Sequence, residues 1–150
     1  MWKKVILATA SYFVITMATA YPWHLVWFHE TYQAIGAVTR EPVIVPLGML
    51  AVITQGFVIA ALYGRWQRDG HPIVEGIKFN LFAGLLVYTT QGFAMAAKID
   101  INPVSTYLVY HTIFQTIQFV IAGAALGAIF GRRGSDGHEV PGKEQERDGL

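Results

Sequence analysis

The chain has 150 residues, of which 53% are hydrophobic and only 14% charged, well below the quarter or so of charged residues in globular chains, so an ordinary soluble fold is excluded. Zero cysteines exclude disulfides, thiolate nucleophiles, thiolate-held zinc and iron–sulfur clusters. A net charge of +1 gives no signal for a polyanion, and no nucleic acid is expected as a partner.

Crossing ~30 Å of hydrocarbon takes about 20 apolar residues in a helix. The first such run covers residues 5–21. Lys3, Lys4, the apolar core and Ala18-Thr19-Ala20 together mimic a cleavable secretory signal. Thr9, Tyr12, Thr16 and Thr19 share one helical face, however, and that favours a retained membrane helix.

Residues 22–42 form a long aromatic connection containing Trp23, Trp27, Phe28 and Tyr32. Pro22 is expected to end or kink the first helix. Leu25, Phe28, Tyr32 and Ile35 then follow at helical spacing, which predicts a short helix lying along the outer leaflet. Glu41-Pro42 returns the chain to the membrane.

The second and third runs cover residues 43–63 and 76–97. They share a pattern at an offset of 36 residues: Gly48, Leu50, Thr54-Gln55-Gly56-Phe57, Ala60 and Ala61 match Gly84, Leu86, Thr90-Gln91-Gly92-Phe93, Ala96 and Ala97. An old duplication and convergence on one packing code both account for this match. The only Asp, Glu, Lys or Arg inside any of the four runs is Lys78, one turn from an end and so able to reach water, with Glu75 positioned to pair with it.

The fourth run, residues 104–130, carries His111, Gln115, Gln118 and Ala122 on one face. Unpaired polar groups facing lipid are costly, so this face must look into protein. Together with Gln91, Gln55, Thr9, Tyr12 and Thr16 it predicts an interior column of neutral hydrogen-bonding groups. Gly123, Gly127 and Gly131 form two GxxxG steps, a flat groove for another helix, either the first helix of the same chain or a second subunit. Residues 131–150 are polar and glycine-rich, a cytoplasmic tail expected to be disordered alone.

Of the 11 lysines and arginines, nine (Lys3, Lys4, Arg65, Arg68, Lys78, Arg132, Arg133, Lys143 and Arg147) fall on the side of the two termini, and only Arg40 and Lys98 on the other. By the positive-inside rule both termini are cytoplasmic.

Trp23-His24-Leu25, Phe28-His29-Glu30, Glu41-Pro42 with Pro46-Leu47-Gly48, and the Gln-Gly-Phe helix pattern resemble small bacterial four-helix membrane proteins of unknown function. The resemblance covers residues 20–130. It implies a bacterial inner membrane and carries over no catalytic residue.

The expected architecture is therefore all-α: a polytopic four-helix transmembrane bundle over residues 1–130 with a short interfacial helix between helices 1 and 2. No nucleotide, metalloprotease, hydrolase or haem-attachment motif is present, so no catalytic residue and no metal ligand set is assigned. The leading expectation is a non-enzymatic accessory or assembly subunit beside other membrane subunits, joined through Gly123, Gly127 and Gly131, with no cofactor. The alternative is a binder or transporter of a quinone, lipid, haem or solute. It would use His111, Gln115, Gln118, Gln91 and Gln55, with His24, His29 and Glu30 above them. Spacings of five and six residues place His24 on a different α-helical face from His29 and Glu30, unlike a helical zinc site.

Overall fold

The structure is a computed structural model that describes residues 1–37, 42–66 and 69–131. Arg40, Glu41, Arg68, Arg132, Arg133, Lys143, Arg147 and the rest of the polar tail lie outside the described residues. Among the described residues there are helices and no strand: α1 (Trp2–Tyr21), α2 (His29–Ala34), α3 (Val45–Tyr63), α4 (Pro72–Tyr88), α5 (Met95–Lys98) and α6 (Val104–Phe130). Four stretches are long and apolar enough to cross a membrane: Trp2–Trp27, Val45–Tyr63, Pro72–Lys98 and Val104–Phe130.

Two of these stretches hold a feature that α-helical periodicity does not predict. Pro22 does not end the first helix; the chain continues through a π-helical turn, Pro22–Trp27, before α2. Pro22 lacks the N–H that would close the next α-helical bond, and the chain widens instead, with the Phe28 N–H donating to the Trp23 carbonyl five residues back at 3.1 Å. The third stretch begins at Pro72 and passes through a second π-helical turn, Thr89–Ala94, into α5.

The expected interfacial helix is correspondingly shorter. It consists of α2 alone; Tyr32 and Ile35 are buried, but Leu25 is 54% exposed because the wider turn rotates it off that face. The internal repeat also divides: Thr54-Gln55-Gly56-Phe57 is α-helical, whereas Thr90-Gln91-Gly92-Phe93 lies inside the π turn.

α6 is the central element, packing α4 on one side and α1 on the other, while α3 packs on the far side of α1. The α4–α6 seam is the tightest. A Cβ at Gly76 would stand 2.6 Å from the Gly127 nitrogen, and one at Gly123 would stand 2.7 Å from the Ile77 Cα. The glycine groove of α6 is thus occupied by α4 of the same chain, neither by α1 nor by a face left open for a partner. Gly131 is not part of it: its φ of 67° ends the helix, and no described atom lies within 4 Å of where its Cβ would be.

One end of the molecule is tied by Lys4, whose Nζ donates to the Phe130 carbonyl at 2.9 Å, and by the Tyr63 ring packed on Phe79 and Phe130. Lys78 and Glu75 pair at 3.0 Å near the same end. At the opposite end the 22–37 and 95–103 segments meet. The Asn102 N–H donates to the Ile35 carbonyl at 2.9 Å, and Gly36, at φ 80°, brings its backbone against the Asp100 carbonyl, where a Cβ would stand 2.6 Å from the oxygen. No L side chain suits either demand. Much of the helix surface between the ends is exposed apolar side chain, including Leu7, Val14, Leu47, Leu50, Phe82 and Leu86.

Candidate functional site

The expected single polar column separates into two parts. In the first, the amides knit helices together. Tyr12 Oη donates to Gln55 Oε1 at 2.6 Å, Gln118 Nε2 donates to Thr16 Oγ1 at 2.9 Å, and Gln115 Nε2 donates to the Gly84 carbonyl at 3.0 Å. Thr9 takes no part, its hydroxyl donating to the Val5 carbonyl of its own helix.

Asn80 belongs to this first part although the sequence reading passed over it. It is fully buried and donates to the Phe119 carbonyl at 2.8 Å, while its Oδ1 has no partner among the described residues. A search for charged residues in apolar runs does not find an asparagine; its place one turn beyond Gly76 on the α4–α6 seam was the available signal.

The second part is a cavity of about 610 Å³ at the end where the 22–37 and 95–103 segments meet. His24, His29, Gln91 and His111 all line it. Gln55, Gln115, Gln118 and Glu30 are not among its described lining residues. The π turn accounts for the convergence of His24 and His29. Five residues advance an α-helix by about 500°, leaving a side chain well off the starting face, whereas a wider turn brings it back toward register. The second π turn supplies Gln91 in the same way, and the Tyr107 hydroxyl donates to the Gln91 carbonyl.

His111 is the best-defined group in the cavity wall. It is 6% exposed, and its Nε2 is buried with no hydrogen-bond partner among the described residues. Its ring lies between two tyrosines: Tyr107, nearly parallel at 14° with centroids 5.3 Å apart, and Tyr88 at 5.5 Å. Gly92 makes this arrangement possible, because a Cβ there would stand 3.0 Å from the Tyr88 ring. Tyr107 extends the sequence-derived polar face by one turn, four residues before His111, and Phe114 follows three residues after it; both line the cavity.

His24 packs on Phe114 at 4.6 Å and on Tyr32 at 4.9 Å. Trp23 joins this cluster, packing at a tilt on Phe28 at 4.5 Å and donating through Nε1 to the Tyr32 hydroxyl at 3.2 Å. Burial holds the Tyr32 phenol above its usual value of 10.0, with the Trp23 hydrogen bond acting against the shift, so the hydroxyl is neutral at physiological pH. At the mouth, His29 and Gln33 face each other with Nε2 atoms 3.0 Å apart.

The cavity therefore offers several neutral hydrogen-bonding groups within an aromatic and aliphatic wall. Among the described residues that line it, none is Asp, Glu, Lys or Arg. Among the described residues no three His, Cys, Asp or Glu side chains are grouped so as to hold a metal ion. No family model matches the chain, and neither a curated protein nor a solved structure shows significant similarity to it.

Proposed function

We propose that the chain is a multi-pass protein of a bacterial inner membrane, with both termini cytoplasmic, and that its outer-end cavity binds a small, uncharged, largely apolar molecule. The observation that carries this reading is the cavity of about 610 Å³ itself, walled by aromatic and aliphatic side chains, with His24, His29, Gln91 and the nine-tenths-buried His111 among its lining residues. Sites for small molecules are typically apolar concavities of this size with a few convergent polar groups.

The membrane assignment is supported by the four apolar stretches and their apolar exterior, and the orientation by the distribution of basic residues. The test is purification from the native membrane in mild detergent, followed by solvent extraction and mass identification. A single uncharged organic compound at near-stoichiometric yield is expected. Preparations that carry only bulk phospholipid would contradict the reading.

A second reading, an accessory subunit beside a larger complex, draws support from α3. Its first residues, Val45 to Ala51, are all exposed, with none of the described residues covering them. A partner would engage this face, since α4 already fills the α6 groove. Stable co-purification of a second membrane chain, lost on placing charged residues at Leu47 and Leu50, would establish it.

A further inference from the structure

The two glutamines of the internal repeat have different fates. Gln55, in α3, is engaged by the Tyr12 hydroxyl at 2.6 Å and ties two helices together. Gln91, carried on the second π turn, is an exposed residue of the cavity lining. Tyr107 takes its backbone carbonyl, and its side-chain amide has no hydrogen-bond partner among the described residues. Gln91 stands roughly 10 Å short of Lys98 at helical rise, inside the membrane-length stretch Pro72–Lys98, where an amide without a partner is costly.

The rim of the cavity is divided. Leu25, Met95 and Ile99 are exposed apolar residues that line it, at or beside the ends of the stretches Trp2–Trp27 and Pro72–Lys98. His29 and Gln33, exposed and facing each other at 3.0 Å, make up its polar part. The buried lining offers little further hydrogen bonding: His111 Nε2 is sealed from the cavity space, and the Tyr107 hydroxyl is committed to Gln91. What Ile101, Tyr107 and Phe114 present to a ligand is rings and aliphatic carbon.

Resting on the reading of this cavity as a binding site, we infer that its occupant is a single-chain lipid with a small uncharged head, of the monoacylglycerol kind, drawn from the outer leaflet. Its chain fills the cavity, its head bonds to the Gln91 amide, and it enters across Leu25, Met95 and Ile99 without passing through water. Three features select this class. A side-chain amide both gives and accepts hydrogen bonds, which suits a hydroxyl beside an ester carbonyl. A group that meets Gln91 inside a membrane-length stretch must itself be cheap to take out of water, which favours hydroxyl and ester over an ion. A volume of about 610 Å³ holds roughly 20 groups at the ~30 Å³ that a water-sized group takes in a liquid, enough for one chain of about a dozen carbons with a glycerol head and too little for a two-chain phospholipid.

The test uses the full chain in phospholipid nanodiscs with Trp2, Trp27 and Trp66 replaced by phenylalanine, leaving Trp23, which packs on Phe114 of the cavity wall at 5.8 Å. The probe is monolauroylglycerol brominated on its chain, since bromine quenches tryptophan on contact; brominated dodecane is the same chain without a head. Saturable quenching of Trp23 by the monoacylglycerol is expected, relieved by unbrominated monolauroylglycerol and not by added phospholipid. Dodecane should bind about tenfold more weakly. Gln91→Met, of similar length without the amide, should weaken the monoacylglycerol about tenfold while leaving dodecane affinity and melting temperature unchanged. Gln55→Met should do the reverse, lowering the melting temperature and leaving both affinities as they are. Equal affinity for the two probes, no effect of Gln91→Met, or equal weakening by Gln55→Met would overturn the head assignment while leaving an apolar binding site. Relief by phospholipid would overturn the single-chain class. Absence of saturable quenching by either probe would overturn the binding site as well.

Discussion

Gly127 of α6 lies so close to the backbone of Pro72 in α4 that a methyl group in place of its hydrogen would overlap the Pro72 carbonyl oxygen. Gly76 and Gly123, each one turn deeper on its own helix, repeat the relationship against each other, so α4 and α6 touch backbone to backbone. Close approach of this kind is the main attraction between helices where lipid and side chain are equally apolar.

Gly127→Leu should therefore disrupt the fold. Overpacking a filled seam costs about 1–3 kcal/mol and more where the backbone itself must retreat. Size-exclusion chromatography and thermal unfolding in detergent are expected to show an aggregated or strongly destabilised protein. A well-folded variant that had lost only a partner chain would restore the groove as an intermolecular surface.

The Gln118–Thr16 hydrogen bond joins α6 to α1 at 2.9 Å inside the bundle. Gln118→Leu and Thr16→Val should each destabilise by about 0.6–2 kcal/mol, and the double variant by less than their sum. Unfolding in a mixed micelle measures the cycle; strict additivity would show that the two side chains do not meet.

Asn80 donates to the Phe119 carbonyl from a site with no exposure to solvent. Asn80→Asp removes that donor and sets a carboxyl against a carbonyl, at a cost of about 3 kcal/mol or more. Asn80→Leu should cost under about 1 kcal/mol, because the unpartnered Oδ1 leaves with the amide. Similar melting temperatures for the two variants would contradict the placement.

Reporter fusions test the orientation. A fusion at Leu150 should read cytoplasmic and one at Arg40 external, as nine basic residues against two require. A cytoplasmic reading at Arg40 would invert the cavity's side.

The four apolar helices were legible in the sequence because length and hydropathy alone define them. The polar face of α6 was equally so, since Gln115, Gln118 and His111 stand at α-helical spacing and all three are buried. The π turns were not legible, because counting 100° per residue assumes the geometry that Pro22–Trp27 and Thr89–Ala94 abandon. That assumption separated His24 from His29 and hid the cavity they share. The partner of the glycine groove was illegible for another reason: periodicity tells which residues share a face, but not which helix covers it.

The account rests on the cavity being occupied, and Met95→Trp tests this most directly. Met95 lines the cavity at its apolar rim and is 41% exposed, so an indole there can block the opening without disturbing the buried seam. Native mass spectrometry of protein released from its own membrane should show a bound small molecule on wild type. The adduct should be absent from Met95→Trp at unchanged melting temperature. A wild type that flies without any adduct, or a variant that keeps it in full, would contradict the cavity's assigned role.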